Sequence, residues 1–175
     1  KINSDLANVL GNLVNRTISM VQKYFDGVLK DTAVIEEMDE ELLSMVSSLD
    51  GNVTKKMDDL QVGEAIDAIF DVLRRSNKYI DETMPWSLAK EEDKKDRLAT
   101  VLYHLLESIR VCGTLLSPFM PDTSVQILKQ LNQEDLTPTF VRGKTYHVSS
   151  PSPLFARIDK EKKLAEIEDH FKNSL

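Results

Sequence analysis

The sequence is poor in the residues that staple or interrupt a chain. Its 175 residues include six glycines, six prolines and a single cysteine, Cys112. One cysteine excludes an internal disulfide and a zinc site built on cysteine pairs. So few glycines and prolines disfavour a fold of short strands and turns and favour long helices. No apolar run approaches the roughly 20 residues that span a bilayer. No basic, apolar and small-residue succession opens the chain as a secretory leader would. A cytoplasmic protein without membrane contact is expected. What is present, 41% hydrophobic and 29% charged residues, describes a globular chain. Its length suits one domain with its own core. It opens without Met, already inside a helical pattern, which reads as a piece of a longer protein.

Basic residues are also in deficit, and the deficit is local. The net charge is −7. Residues 31–60 hold nine acids and two bases, which accounts for all of it; the remainder carries 20 of each sign. A nucleic-acid partner would be repelled by that one segment and tolerated elsewhere. Such a binder depends on contacts to bases, because it lacks a general attraction for phosphate.

Hydrophobic periodicity outlines the elements. Over 3–25, Leu6, Leu10, Leu13, Thr17, Met20 and Tyr24 recur at steps of three and four, so a helix is expected, ending at Asp26-Gly27. A second amphipathic segment covers 34–49, with Ile35, Met38, Leu42, Met45, Val46 and Leu49 on its apolar side. Asp50-Gly51-Asn52 then reads as a turn. A third helix over 62–83 must stop near Met84, because Pro85 disfavours helix at the residue before it. A fourth over 93–117 is the most apolar and the expected centre of the core. Pro121 suits the first turn of a short helix to about 131. Residues 133–156 hold Gly143, Pro138, Pro151 and Pro153 and no helical stripe. They are read as an extended arm with a short strand pair. A lysine- and glutamate-rich helix over 159–174 follows. The expected fold is all-α: a bundle of four to five helices over 1–132, with an extended C-terminal arm and terminal helix over 133–175 packed on it.

Signs of catalysis are missing. His104, His147 and His170 have no partners at metal-ligand spacing. His104 falls beside the core stripe, where a packing role is expected. No glycine-rich phosphate loop and no nucleophile motif is found. Glu36, Glu37, Glu40 and Glu41 belong on a solvated face, where burial cannot tune them for acid–base work. No catalytic residue and no metal ligand is assigned.

Two features remain. Trp86, the only tryptophan, follows Pro85 at a corner between helices. A ring held there either caps the core or offers its face to a base; such stacking contributes about 1–3 kcal/mol per base. Asn12 and Arg16 are four apart and share one face of the first helix. Their donors and acceptor suit either an ordinary surface pair or the edge of an unstacked base.

The chain also resembles a known family. Asn3-Ser4-Asp5-Leu6-Ala7-Asn8, then Leu10-Gly11-Asn12-Leu13 with Asn15-Arg16, and Tyr24-Phe25-Asp26-Gly27, are similar to the start of the anticodon-binding domain of bacterial methionyl-tRNA synthetases. Asn77-Lys78-Tyr79-Ile80-Asp81-Glu82, Pro85-Trp86 and Ala89-Lys90 resemble its second signature. Leu115-Leu116, Pro118-Phe119-Met120-Pro121 and the run from Pro153 to Asp159 resemble two more. Ala156 departs from a proline common there. The resemblance implies that Asn12 and Arg16 contact the first anticodon base of methionine acceptors, that Trp86 stacks on it, and that Pro85 shapes the turn. It implies tRNA and a catalytic domain of the same chain as partners. ATP and magnesium would be used on that domain, with no cofactor held here. Lys56-Met57-Asp58-Asp59 is only a superficial echo of a catalytic motif. A monomeric piece, inactive alone, is expected. The competing expectations are a helical protein-interaction module, or the anticodon domain of a related class I synthetase for valine or cysteine.

Overall fold

A computed structural model describes residues 2–155 together with Leu164 and Ile167. The expected terminal helix over 159–174 and the departure at Ala156 therefore lie almost wholly outside the described residues. The described residues form six α-helices, a π-helical segment, two 3₁₀ turns and one small sheet. A wide, π-type helical segment, Ile2–Gly11, leads into α1, Asn12–Phe25. Then follow β1, Val28–Lys30; α2, Glu40–Asp58; α3, Val62–Thr83; α4, Pro85–Leu88; α5, Lys95–Leu115; α6, Pro121–Leu131; and β2, Thr145–His147. Among the described residues no helix is long and apolar enough to cross a membrane.

The bundle closes around α5, whose residues from Arg97 to Gly113 are all buried. Its apolar side chains Leu98, Val101, Leu102, Leu105 and Ile109 meet Leu13, Val14 and Ile18 of α1 and Ile69, Leu73 and Ile80 of α3 in one core. Hydrophobic burial of this kind contributes about 25 cal/mol per Å² of apolar surface. Gly113 lets α6 approach, since a Cβ there would stand 3.0 Å from Ile127 Cγ2. The expectation of helices over 62–83, 93–117 and 121–131 therefore holds.

Three expectations need correction. Helix α2 runs straight through Asp50-Gly51-Asn52 instead of turning there. Leu42, Val46, Leu49 and Val53 keep one continuous buried stripe against α3, which outweighs a glycine's helix cost of about 1 kcal/mol. Residues 34–36 are not helical, and only a 3₁₀ turn, Glu37–Asp39, precedes α2. Ile35 and Met38 face solvent rather than the core. The strand pair does not lie within the arm: β2 pairs antiparallel with β1, Tyr146 opposite Leu29. Both of these central residues are buried and their neighbours exposed.

The arm is fastened from the core outward. Arg110, fully buried on α5, is ion-paired with Glu107 at 2.8 Å. It donates to the carbonyls of Thr137 and Thr139. Glu107 in turn accepts from the Val141 amide and the Tyr146 hydroxyl, and Tyr103 donates to the Val141 carbonyl. A non-helical segment thus has its backbone groups met by side chains of the central helix, as buried backbone requires.

Candidate nucleic-acid interface

Pro85 and Trp86 sit at the corner where α3 gives way to α4. Helix α3 ends on Met84, whose φ of 44° and ψ of 65° place a non-glycine residue in the left-handed region. Pro85 cannot follow a helical residue comfortably, so this reversal lets α3 stop and α4 start within one residue. The Met84 amide still donates to the Ile80 carbonyl at 3.0 Å, and the Met84 carbonyl accepts from Ser87 at 2.8 Å. Backbone strain of this type costs about 1–3 kcal/mol and persists only where its surroundings impose it. Here Pro85 is buried, and Thr83 is tied back to the Tyr79 carbonyl at 2.7 Å.

Trp86 is not the core-capping ring that was one of its two readings. It is 42% exposed on a corner whose other side is anchored. No side-chain hydrogen bond, ring pair or cation over the ring of Trp86 occurs among the described residues, so its exposed part is free to meet a partner. Arg16 on α1 reaches the same region. Its guanidinium pairs with Asp81, in the last turns of α3, at 3.3 Å. Asp81 is 67% exposed, so the pair contributes at most about 1 kcal/mol and holds Arg16 lightly. Asn12 is exposed on the same face of α1, one turn before Arg16. It opens onto a shallow cavity of about 200 Å³ shared with Asn15 and the arm residues Pro153–Phe155. The Arg16–Asp81 contact thus brings α1 to the α3–α4 corner. Asn12 lines that cavity beside the arm, and no hydrogen bond joins it to Trp86 among the described residues.

Behind the corner lies a buried polar chain that the sequence did not announce. Asp39 is fully buried, although it belongs to the acidic segment that reads as solvated. It accepts from both terminal nitrogens of Arg97 at 2.7 Å and from the Tyr79 hydroxyl at 2.6 Å. Burial by itself raises the Asp39 carboxyl, but the hydrogen bonds from Arg97 and Tyr79 outweigh it and hold it below its ordinary value. Tyr79 is pushed well up by burial and by Asp39. His104 extends the chain, with Nδ1 3.2 Å from the Tyr79 hydroxyl and Nε2 3.2 Å from Arg142. Since Tyr79 donates to Asp39 and Arg142 can only donate, His104 is neutral and carries its proton on Nδ1. Its expected packing role is met with both ring nitrogens satisfied, and burial pushes its pKa down to about 4. The network fixes the second half of α3, and with it Asp81 and the corner. Among the described residues no group of three or more His, Cys, Asp or Glu is placed to hold a metal ion.

Sequence reasoning missed Asp81 as the partner of Arg16. The two are 65 positions apart, and an acid on an exposed helix face carries no mark of its partner.

Solved structures with this fold exist, and they define the class. Methionyl-tRNA synthetase of Mycobacterium tuberculosis in its free state superposes with a TM-score of 0.82 at 32% identity. The match covers 90% of this chain and 33% of that one. The same enzyme in complex with methionyl-adenylate gives 0.82 at 34% identity, over 89% and 32%. The bundle is therefore a helical domain of the aminoacyl-tRNA synthetase type. Among curated proteins, the methionine–tRNA ligase of Caldanaerobacter subterraneus subsp. tengcongensis is 49% identical over 96% of this chain and 27% of its own length. That of Clostridium acetobutylicum is 48% identical over 95% and 27%. The family model for the anticodon binding domain of methionyl tRNA ligase matches residues 30–174, and the chain belongs to that family. It spans about a quarter of the length of these curated relatives.

Proposed function

We propose that this chain reads the CAU anticodon of methionine-accepting tRNAs for a methionine–tRNA ligase, which joins methionine to its tRNA at the expense of ATP in the cytoplasm. The observation that carries the reading is Trp86, exposed without a partner ring on a strained, anchored corner in a family of anticodon-binding domains. In this reading Trp86 stacks on the first anticodon base, and Pro85 holds the turn that presents it. Arg16 leaves a weak pair with Asp81 to meet the base edge, and Asn12 supplies a donor and an acceptor beside it. Release of Arg16 is cheap because its pair is solvent-screened. The ATP and magnesium such a ligase uses belong to its catalytic part, and no residue described here is assigned to them. The anticodon loop and the catalytic part of the same polypeptide are its partners, and the chain is monomeric.

The test is binding of a CAU anticodon stem-loop by a ligase carrying this domain. Trp86→Ala should weaken binding by about 5- to 150-fold, the equivalent of one lost stacking contact. Unchanged affinity would remove the assignment. Equal binding of stem-loops with valine or cysteine anticodons would overturn the claim that this domain selects CAU.

A further inference from the structure

Every arginine among the described residues is paired with a carboxylate. Lys23 on α1 and Lys95 at the start of α5 are exposed and have no ion-pair partner among the described residues; Lys23 Nζ lies 5.2 Å from the centre of the Tyr24 ring. Both line one cavity of about 220 Å³. Tyr24, Leu88 and Leu98 supply its apolar walls, and Glu91 and Glu92 line it as well. Glu91 is already paired with Lys94 at 2.8 Å. The cavity is thus left with two unpaired lysines against one unpaired carboxylate, Glu92, in a chain whose net charge is −7. Lys95 also opens α5, where the helix dipole favours an anion over a cation. The cavity at Asn12, by contrast, has no charged residue in its lining.

This cavity lies beside the Trp86 corner. Leu88 and Ala89, in its lining, follow Trp86 on the same chain turn. Asn77 bonds the Val9 carbonyl, Arg16 pairs with Asp81, and Lys23 shares the cavity with Leu88. Helix α1 therefore runs in the direction of α3 and continues alongside α4. Lys23 comes two turns after Arg16 on the same face of α1, about 10 Å farther along. Asn12, Arg16 and Lys23 form one stripe. A base that meets Arg16 and Trp86 puts a neighbouring nucleotide within reach of Lys23, whose four-carbon stem is flexible.

We propose that this cavity seats a backbone nucleotide of the RNA loop next to the base on Trp86, with Lys23 and Lys95 on its phosphate and Glu92 accepting from its ribose 2′-hydroxyl. This rests on the anticodon-reading function above. The chemistry follows from the lining. Ammonium groups are point charges that hold phosphate without reading sequence. A carboxylate only accepts, so beside a phosphate diester it needs a donor that the phosphate lacks and that the 2′-hydroxyl of RNA supplies. Tyr24 and Leu88 give the sugar an apolar wall.

Titration of a CAU anticodon stem-loop against a ligase carrying this domain, from 50 to 200 mM salt, tests it. The double variant Lys23→Gln, Lys95→Gln should bind about fivefold more weakly at the low-salt end. Its slope of log affinity against log salt should be shallower by about 0.7, the value of one phosphate contact. Lys55→Gln removes an exposed lysine at the opposite end of the bundle, where α2 ends beside the start of α3, and should change neither. A single 2′-deoxy substitution on one side of the first anticodon base should weaken binding to the wild type, and Glu92→Ala should erase that difference. An unchanged slope in the double variant, or an equal change from Lys55→Gln, overturns the phosphate contact. Equal binding of the RNA loop and of the loops deoxy on either side by the wild type overturns the nucleotide seat. Trp86→Ala separates this site from the function. If that variant loses affinity and the double variant does not, the anticodon reading stands and the site falls. If neither loses affinity, the function falls and takes the site with it.

Discussion

His104 shows how much a single residue type conceals. Its position beside the apolar stripe of α5 marks it as interior, and it is fully buried. Nothing in the sequence marks what surrounds it: Asp39, Tyr79 and Arg97 on one side, Arg142 and Asp31 on the other. Burial lowers its pKa to about 4 from an ordinary 6.5. Between those two values the unfolded chain takes a proton that the folded one refuses. Stability is therefore full above about pH 6.5 and falls as the pH drops toward 4, by up to about 3 kcal/mol from this residue. Urea unfolding across pH 4–7 should show the slope, and His104→Gln should flatten it. A profile identical in the variant would mean that His104 is protonated in the folded protein. Trp86 and Arg16 are the opposite case. Residue type and spacing named them as candidates, because a lone tryptophan after proline and an arginine one turn from an asparagine stand out in a line of text. What they meet is settled in three dimensions: the guanidinium on Asp81 by the approach of α1 to α3, the exposure of the ring by the α3–α4 corner.

At the scale of elements, legibility followed the regularity of the apolar repeat. Helices α3, α5 and α6 announce themselves by steps of three and four and by proline at their ends. Strand β1 does not, because three residues with one buried side chain make no pattern, and its partner lies more than 110 positions away. Helix α2 was cut short by a local signal, Asp50-Gly51-Asn52, that packing overrides. That helix offers a direct check. Gly51 is exposed and helical, and a Cβ added there would meet nothing within 4 Å. Gly51→Ala should therefore stabilise the protein by about 0.5–1 kcal/mol, through backbone entropy alone. A turn at this position would instead make the alanine neutral or costly, so the sign of the change in urea midpoint decides between the two.

At the scale of the molecule, the distribution of charge sets how RNA would be held under the proposed function. The excess of −7 lies in residues 31–60, on α2 and the turns that flank it, while the rest of the chain is neutral. Arg16 is the one cation that the proposed function brings to the anticodon, and it reaches the corner already paired with an acid. A surface of this kind releases few counterions when a loop binds. For single strands the slope of log affinity against log salt is about −0.7 per phosphate neutralised. One or two such contacts predict a slope between about −0.7 and −1.4, and a loss of less than about tenfold from 50 to 200 mM salt. Trp86→Ala should lower the affinity at every salt concentration and leave that slope unchanged, since stacking displaces no counterion. Titration of the anticodon stem-loop against wild type and variant over this range separates the two contributions. A slope near −4 or steeper would show that phosphate, read by a basic surface elsewhere in the ligase, holds the loop, and that the tryptophan corner only adjusts the grip.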